Sequence, residues 1–208
     1  EEGSETGGLR HFLTQMPKSD IASHGQEHHY CSPHSDVLGW VIERVGNDSF
    51  ANQFSTYILQ PCGASNEGYI TLDTYGAPRV SGGMCLGLYD LLLIGEMVRN
   101  RGYANGREVV PASWIDEIFA VRDNHIWRGQ NQPEGPRLFT NGNYRSLWYQ
   151  TGFKDQEICA IGIHGQWLWI NPQKQLVIVK MASHDHEVDS TIDRVMLAAF
   201  AAIGDALS

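Results

Sequence analysis

The sequence predicts an α+β domain: a mainly helical region, then an antiparallel sheet, then a C-terminal packing helix. Three observations carry this. Between residues 35 and 120, apolar residues recur at helical spacing in segments bounded by capping or breaking residues. From Ile158 onward the pattern changes to short apolar runs, with Asn171-Pro172 as a turn between Trp167-Leu168-Trp169-Ile170 and a β-rich run from Leu176 to Met181. The chain closes on Ile192, Val195, Met196, Ala199, Phe200, Ile203 and Leu207, an i, i+3, i+4, i+7 stripe suited to lie on one face of the sheet. Helices grouped before strands mark α+β rather than alternating α/β.

Each element has a local reason. Residues 1–8 are small, acidic and polar, as at a frayed end. Leu9, Phe12 and Leu13 share one face of a short helix over 9–16. Ser35 or Asp36 is the expected cap of the next helix, whose residues Val37, Leu38, Val41, Ile42 and Val45 form a core-facing stripe. Gly46-Asn47 ends it. Asp48 or Ser49 opens a further helix with Phe50, Phe54, Tyr57 and Ile58 inward, closed by Pro61 and Gly63. Residues 69–72 read as a short strand or extended loop. Gly82-Gly83 permits a close backbone approach before a long helix over 89–99, which Gly102 stops. Pro111 starts another helix running to about Ala120. Residues 123–144 have no periodicity and form the longest loop. Residues 147–149 and 158–163 read as strands, and Asp189 or Ser190 caps the final helix.

Composition limits the functional classes. The 208 residues are 42% hydrophobic and 19% charged, enough for one large domain or two small ones. The formal net charge is −9 and the isoelectric point about 5.4. Lys and Arg form no stripe, so nucleic acid is not an expected partner. The longest apolar runs, around Leu91 to Ile94 and Leu176 to Val179, fall far short of the roughly 18 residues that a membrane helix needs, so no membrane partner is expected either. Cys31, Cys62, Cys85 and Cys159 form no Cys-x-x-Cys pair, the pattern of reduced, mostly buried thiols in a cytoplasmic protein. The chain starts at Glu1 rather than Met, which reads as a fragment or processed product.

The stretch richest in chemistry is Tyr30-Cys31-Ser32, directly before a helix. A phenol at a helix N-terminus meets the positive end of the dipole and unpaired N–H groups, a setting suited to proton transfer. The competing reading is a half-buried structural tyrosine with one hydroxyl partner. Cys31 reads as a packed thiol rather than a nucleophile. His24, His28, His29 and His34 suggest a metal, as does His184 with His186, but ligand spacing is lacking, and a solvated His-rich loop explains the first group. Trp127, Trp148, Tyr149 and Trp167 either line an apolar cleft or fill the core, with about half assigned to core.

Several features now stand in order: Tyr30-Cys31-Ser32; Asp36-Val37-Leu38-Gly39-Trp40-Val41-Ile42-Glu43-Arg44-Val45; Gly82-Gly83 with Asp90; and Gly162-Ile163-His164-Gly165-Gln166-Trp167-Leu168-Trp169-Ile170-Asn171-Pro172. Together they resemble the serine β-lactamase-like hydrolases: class C β-lactamases, D-alanyl-D-alanine carboxypeptidases and related esterases. Within that superfamily the chain looks most like the 6-aminohexanoate (nylon) oligomer hydrolases. The resemblance runs from about Tyr30 to the C-terminus. It implies a β-lactamase/transpeptidase-like fold, incomplete at the N-terminus, in one domain: tail and loop over 1–29, a mainly helical region over 30–145, and strands with a packing helix over 146–208.

The resemblance also implies a mechanism without metal or cofactor. A serine in Ser-x-x-Lys attacks a carbonyl, while the lysine and a tyrosine share the proton traffic. Two backbone N–H groups hold the oxyanion. Tyr30 takes the tyrosine role, and Ile163, at the end of its strand, supplies one N–H. Ser32 and Ser81 face the substrate, and His164 and Gln166 lie close to the site. One departure is large: no Ser-x-x-Lys occurs in these residues. Thr151-Gly152-Phe153-Lys154 has the spacing, but it follows Tyr30 where the family's serine precedes its tyrosine. The lactamases' Lys-Thr-Gly is absent too, which argues against penicillin-type substrates.

The expectation is therefore the C-terminal two-thirds of an enzyme that cleaves a small-molecule amide or ester. An N-terminal fragment would supply Ser-x-x-Lys and cover an open sheet edge. The alternative is a non-catalytic remnant acting as a binding or scaffold protein; a homodimer would suit either reading.

Overall fold

The computed structural model describes residues 7–18, 23, 25–26, 28–65, 67–121, 127 and 138–207. His24, the tail over 1–6 and most of the loop read over 123–144 lie outside them. Helix α1 (Gly8–Gln15) is followed by α2 (Ser32–Gly46), α3 (Phe50–Phe54), a π-helical turn (Ser55–Leu59) and α4 (Gln60–Cys62). Strands β1 (Tyr69–Ile70) and β2 (Met84–Cys85) pair antiparallel. Then come α5 (Leu88–Arg99), the ribbon β3 (Tyr103–Ala104) and β4 (Arg107–Glu108), and α6 (Ala112–Phe119). The main sheet contains β5 (Asn143–Arg145), β6 (Trp148–Gln150), β7 (Ile158–Gly162), β8 (Gln166–Asn171) and β9 (Leu176–Lys180), and α7 (Ser190–Ala206) ends the chain. The five strands run antiparallel in sequence order, β5-β6-β7-β8-β9.

The sheet is covered on both faces, and its alternation decides which residue goes where. Ile158, Leu168, Ile170 and Val177 meet Met97 and Val98 of α5 and Ile115 and Ile118 of α6. The intervening residues, Cys159, Trp167 and Trp169, meet Leu197 and Phe200 of α7, with Trp127 and Phe139 completing that layer. Gly95 lets α5 settle on the sheet, because a Cβ there would lie 2.5 Å from Val177 Cγ1 and 2.8 Å from Leu168 Cδ1. The α7 cap is the expected one: Asp189 accepts from the N–H groups of Thr191 and Ile192 at 3.0 and 3.1 Å.

Several local expectations are corrected. Helix α2 starts at Ser32 with Cys31 as its N-cap and Pro33 in the first turn, so neither Ser35 nor Asp36 caps it; Pro fits the first turn because it lacks only an N–H that is unsatisfied there. The stripe Val37, Leu38, Val41, Ile42 and Val45 is exposed, up to 83% at Val45. Asp36 and Gly39 face inward instead. Tyr57 is 66% exposed while Leu59 is buried, since the π turn adds a residue and shifts the helical phase by about 100°. Residues 81–84 lead into β2 before α5 starts. The β3–β4 ribbon turns on Asn105 and Gly106, at φ 49 and 76°; Asn-Gly between extended residues is a hairpin signal the sequence did carry.

Candidate active site

Tyr30 immediately precedes the N-cap of α2 and is 41% exposed. Its ring meets the edge of Tyr144 at 5.8 Å between centroids. Tyr144 in turn contacts Tyr149 at 4.8 Å, its partner across the β5–β6 register. His28 packs against both Trp127 and Tyr144, at 5.1 and 5.0 Å. Burial, with the neighbouring Tyr30 adding to it, pushes the Tyr144 phenol up to about 12. Burial, then Tyr30, Tyr144 and Cys159, raises Tyr149 as well. Tyr144 and Tyr149 are half-buried, and Tyr30 is the solvent-facing phenol of the group.

A second cluster joins α2 to the glycine loop. The Asp36 carboxylate, 4% exposed, accepts from Ser81 N at 2.8 Å and from Ser81 Oγ at 2.9 Å, with Arg79 Nε at 3.9 Å. Gly39 lies one turn on, where a Cβ would sit 2.3 Å from Val80 Cγ2. Gly83 is similarly confined, with Thr71 Oγ1 2.2 Å from its virtual Cβ, whereas Gly82 has nothing within 4 Å. The sequence reading expected Ser81 to face the substrate; its hydroxyl is bonded to Asp36. Ser32 is exposed at the first position of α2. Asp36, expected as a helix cap, instead holds the glycine loop, and Gly39 leaves room for that loop to approach.

A third cluster surrounds the end of β7. Residues Ile163–Gly165 form a 3₁₀ turn in which His164 has φ 58° and Gly165 φ 84°. Ile163 is 60% exposed. The side chains of His164 and Gln166 are committed to backbone: His164 Nδ1 lies 2.9 Å from the His184 carbonyl, and the Gln166 amide donates to Ala182 O and accepts from Ala182 N. Lys180, which the sequence left without a role, and His184, read there only as a possible metal ligand, lie behind this turn, with Lys180 Nζ 2.8 Å from Gly165 O. The sheet links the clusters, since Tyr30 packs on β5 while Ile163 follows β7, two strands away.

The remaining candidates fall into place. Thr151 is buried with its hydroxyl on Glu157 at 2.9 Å, and Gly152 has φ 71°, so the Thr-x-x-Lys segment is a loop rather than a helix start. All four cysteines are free: Cys62 and Cys159 buried, Cys31 half-buried, Cys85 exposed. Burial raises the thiols of Cys159 and Cys62, the first with help from Glu157 and the second opposed by Arg107. Trp127 and Trp167 are core, while Trp148 and Tyr149 are half-buried. Among the described residues no group of three His, Cys, Asp or Glu side chains is placed to hold a metal. Among them, too, no helix is long and apolar enough to cross a membrane.

Comparison with known proteins gives these clusters a context. The family model described as Beta-lactamase matches residues 6–203. A 6-aminohexanoate-dimer hydrolase from Paenarthrobacter ureafaciens is 33% identical over 157 residues, covering 76% of this chain and 39% of that protein. A solved structure of a candidate 6-aminohexanoate-dimer hydrolase from Bacillus anthracis matches with TM-score 0.84 at 22% identity, covering 96% of this chain and 48% of that one. An octameric penicillin-binding protein homologue from Pyrococcus abyssi matches with TM-score 0.62 at 17% identity, over 88% of this chain and 44% of that one. The chain thus spans 39% of the length of the curated relative and 48% of that of the Bacillus anthracis structure.

Proposed function

This chain belongs to the beta-lactamase family and has the β-lactamase/transpeptidase-like fold, and from that premise we propose that it forms part of a serine hydrolase cleaving an amide or ester through an acyl-enzyme. The observation that carries the proposal is the exposed Tyr30 phenol at the mouth of α2. It sits beside two half-buried tyrosines whose pKa burial raises.

In the proposed reaction a serine hydroxyl attacks the substrate carbonyl after its proton is taken by the lysine of the same Ser-x-x-Lys segment. The Ile163 N–H donates to the oxygen on which negative charge develops, as one of the two donors such a site needs. Tyr30 passes a proton to the leaving amine or alkoxide, and then takes one from the water that releases the acyl group. Ser32, exposed at the first position of α2, hydrogen-bonds the substrate in this reading. Ser81 acts by fixing the glycine loop to Asp36, while His164 and Gln166 shape the Ile163 turn rather than contact substrate.

Ser-x-x-Lys comes from a polypeptide segment outside these 208 residues. Two surfaces suit it: the apolar face of α2, and the outer edge of β9, which carries no paired strand among the described residues. A linear amide of the aminohexanoate kind is the substrate class favoured by the relative's name. The free thiols favour a reducing compartment, the cytoplasm.

The test is labelling with a fluorophosphonate or a β-lactam, read by intact mass, on the protein together with whatever segment precedes residue 1 in its gene. One labelled serine, lying upstream of Glu1 and followed three residues later by lysine, is the expected result. No labelled serine in any chain leaves the non-catalytic scaffold as the better reading.

A further inference from the structure

The geometry points to Lys180 and His184 as positioning residues that hold the Ile163–Gly165 turn in the shape that presents the Ile163 N–H. The inference builds on the oxyanion role proposed for Ile163. It gives Lys180 its first role and His184 a role other than the metal ligand its spacing from His186 suggested.

The turn requires such a device. His164 is a non-glycine residue in the left-handed region, followed by Gly165 in the same region, a conformation that persists only where surroundings enforce it. The enforcing groups come from β9 and the segment after it. Lys180 Nζ donates to the Gly165 carbonyl at 2.8 Å and lies 3.2 Å from His184 Nε2. An ammonium only donates, so Nε2 is the acceptor position in this pair. The His184 ring also covers Gly165, whose virtual Cβ would lie 2.4 Å from it, so a side chain there would have to displace the ring. Backbone bonds complete the clamp: His184 N donates to His164 O at 3.1 Å and His164 N to Glu187 O at 2.9 Å. Because His164 Nδ1 faces a carbonyl, it carries a proton and donates.

Lys180 is held in turn. It stands opposite Trp167 in the β8–β9 register. Burial raises the Asp193 carboxyl in the first turn of α7, with Trp167, His184 and Lys180 acting against it. Sheet and turn thus meet at one ammonium. A shift of about 1 Å in an oxyanion donor costs on the order of 10²-fold in rate, so a residue two contacts from the substrate is placed to control turnover.

The test uses residue-resolved amide hydrogen exchange on the full chain, comparing Lys180→Met and Lys180→Arg with the parent. Lys180→Met should speed exchange at the His164 and His184 amides by roughly tenfold or more, with the Trp169 amide unchanged. Lys180→Arg, which keeps a donor, should recover protection to within about threefold. Unchanged exchange in Lys180→Met overturns the clamp, as does equal acceleration at Trp169, which would make Lys180 a general stability residue. If Lys180→Met does not fold, His184→Phe against His184→Gln poses the same question, since only Gln keeps an acceptor for the ammonium. In the enzyme joined to its Ser-x-x-Lys segment, Lys180→Met should lower kcat by about 10²-fold with KM little changed. A loosened turn with unaltered kcat overturns the oxyanion role of Ile163 and leaves the clamp standing.

Discussion

Tyr30 is the most exposed phenol of its cluster, while Tyr144 and Tyr149 are half-buried, and the proton-transfer role proposed for it has a kinetic consequence. Tyr30→Phe in the complete enzyme is expected to lower kcat by roughly 10²-fold or more, with the melting temperature nearly unchanged. Steady-state kinetics beside a thermal melt checks this; a collapsed melt with retained turnover would make Tyr30 structural. Asp36 makes the opposite prediction. Its carboxylate is buried and satisfies both the amide and the hydroxyl of Ser81. Asp36→Ala strands both donors and should cost about 1–3 kcal/mol, read from denaturant unfolding. At this scale the sequence singles out Tyr30 through the motif that contains it rather than through the helix start, which it places at Ser35 or Asp36 and the structure places at Ser32. It was silent about Lys180, whose contacts with Gly165 and His184 depend on how β9 leaves the sheet.

Among the elements, α1 is tied down by two carboxylates: Glu43 of α2 accepts from Arg10 at 2.6 Å, and Asp73 holds its first turn. Asp73 accepts from Leu9 N at 2.6 Å and from the N–H groups of Tyr75 and Ala77 at 2.8 Å each. Burial alone would raise its pKa, but the bonds from Leu9, Ala77 and Tyr75, with Arg10 nearby, outweigh burial and hold it below its ordinary 3.8. The folded chain therefore binds fewer protons than the unfolded one in this range. The contribution of Asp73 is complete above the ordinary value and is lost as pH falls through the lower, folded one. Acidification should thus release the Leu9 amide before the sheet melts, seen as an early change in its NMR shift, and Asp73→Asn should remove that step. Helix α3 shows where element reading stops. The spacing of Phe50, Phe54 and Tyr57 is helical, yet the π turn over Ser55–Leu59 rotates Leu59 rather than Tyr57 into the core, and no local residue announces a π turn.

For the whole molecule, the notable surface is the apolar face of α2: Val37, Leu38, Val41, Ile42 and Val45. A stripe of this kind is built to be covered, and the chain spans 39% of the curated relative's length. Replacing Val41 and Val45 together by Lys should change the stability of this chain by at most about 0.5 kcal/mol per site, while lowering its binding of a hydrophobic dye such as ANS. The same pair should weaken association with a Ser-x-x-Lys segment, measurable by titration of the two pieces. A large loss of stability in the isolated chain would mean that the face is already packed.

The sequence by itself determined the sheet strands from Ile158 onward and a last helix starting at Asp189 or Ser190, which depend on spacing within a dozen residues or so, and the α+β class and family resemblance, which depend on the order of elements and motifs along the chain. It also marked Tyr30 and Ile163, through the motifs that contain them. Only the tertiary structure decided that Asp36 holds Ser81 across 45 residues, that α2 turns its polar and glycine side inward, and that Lys180 and His184 grip the turn after β7. Periodicity states which residues share a face. It does not state what that face will meet, since the partner is brought there by distant chain whose packing is a property of the whole fold.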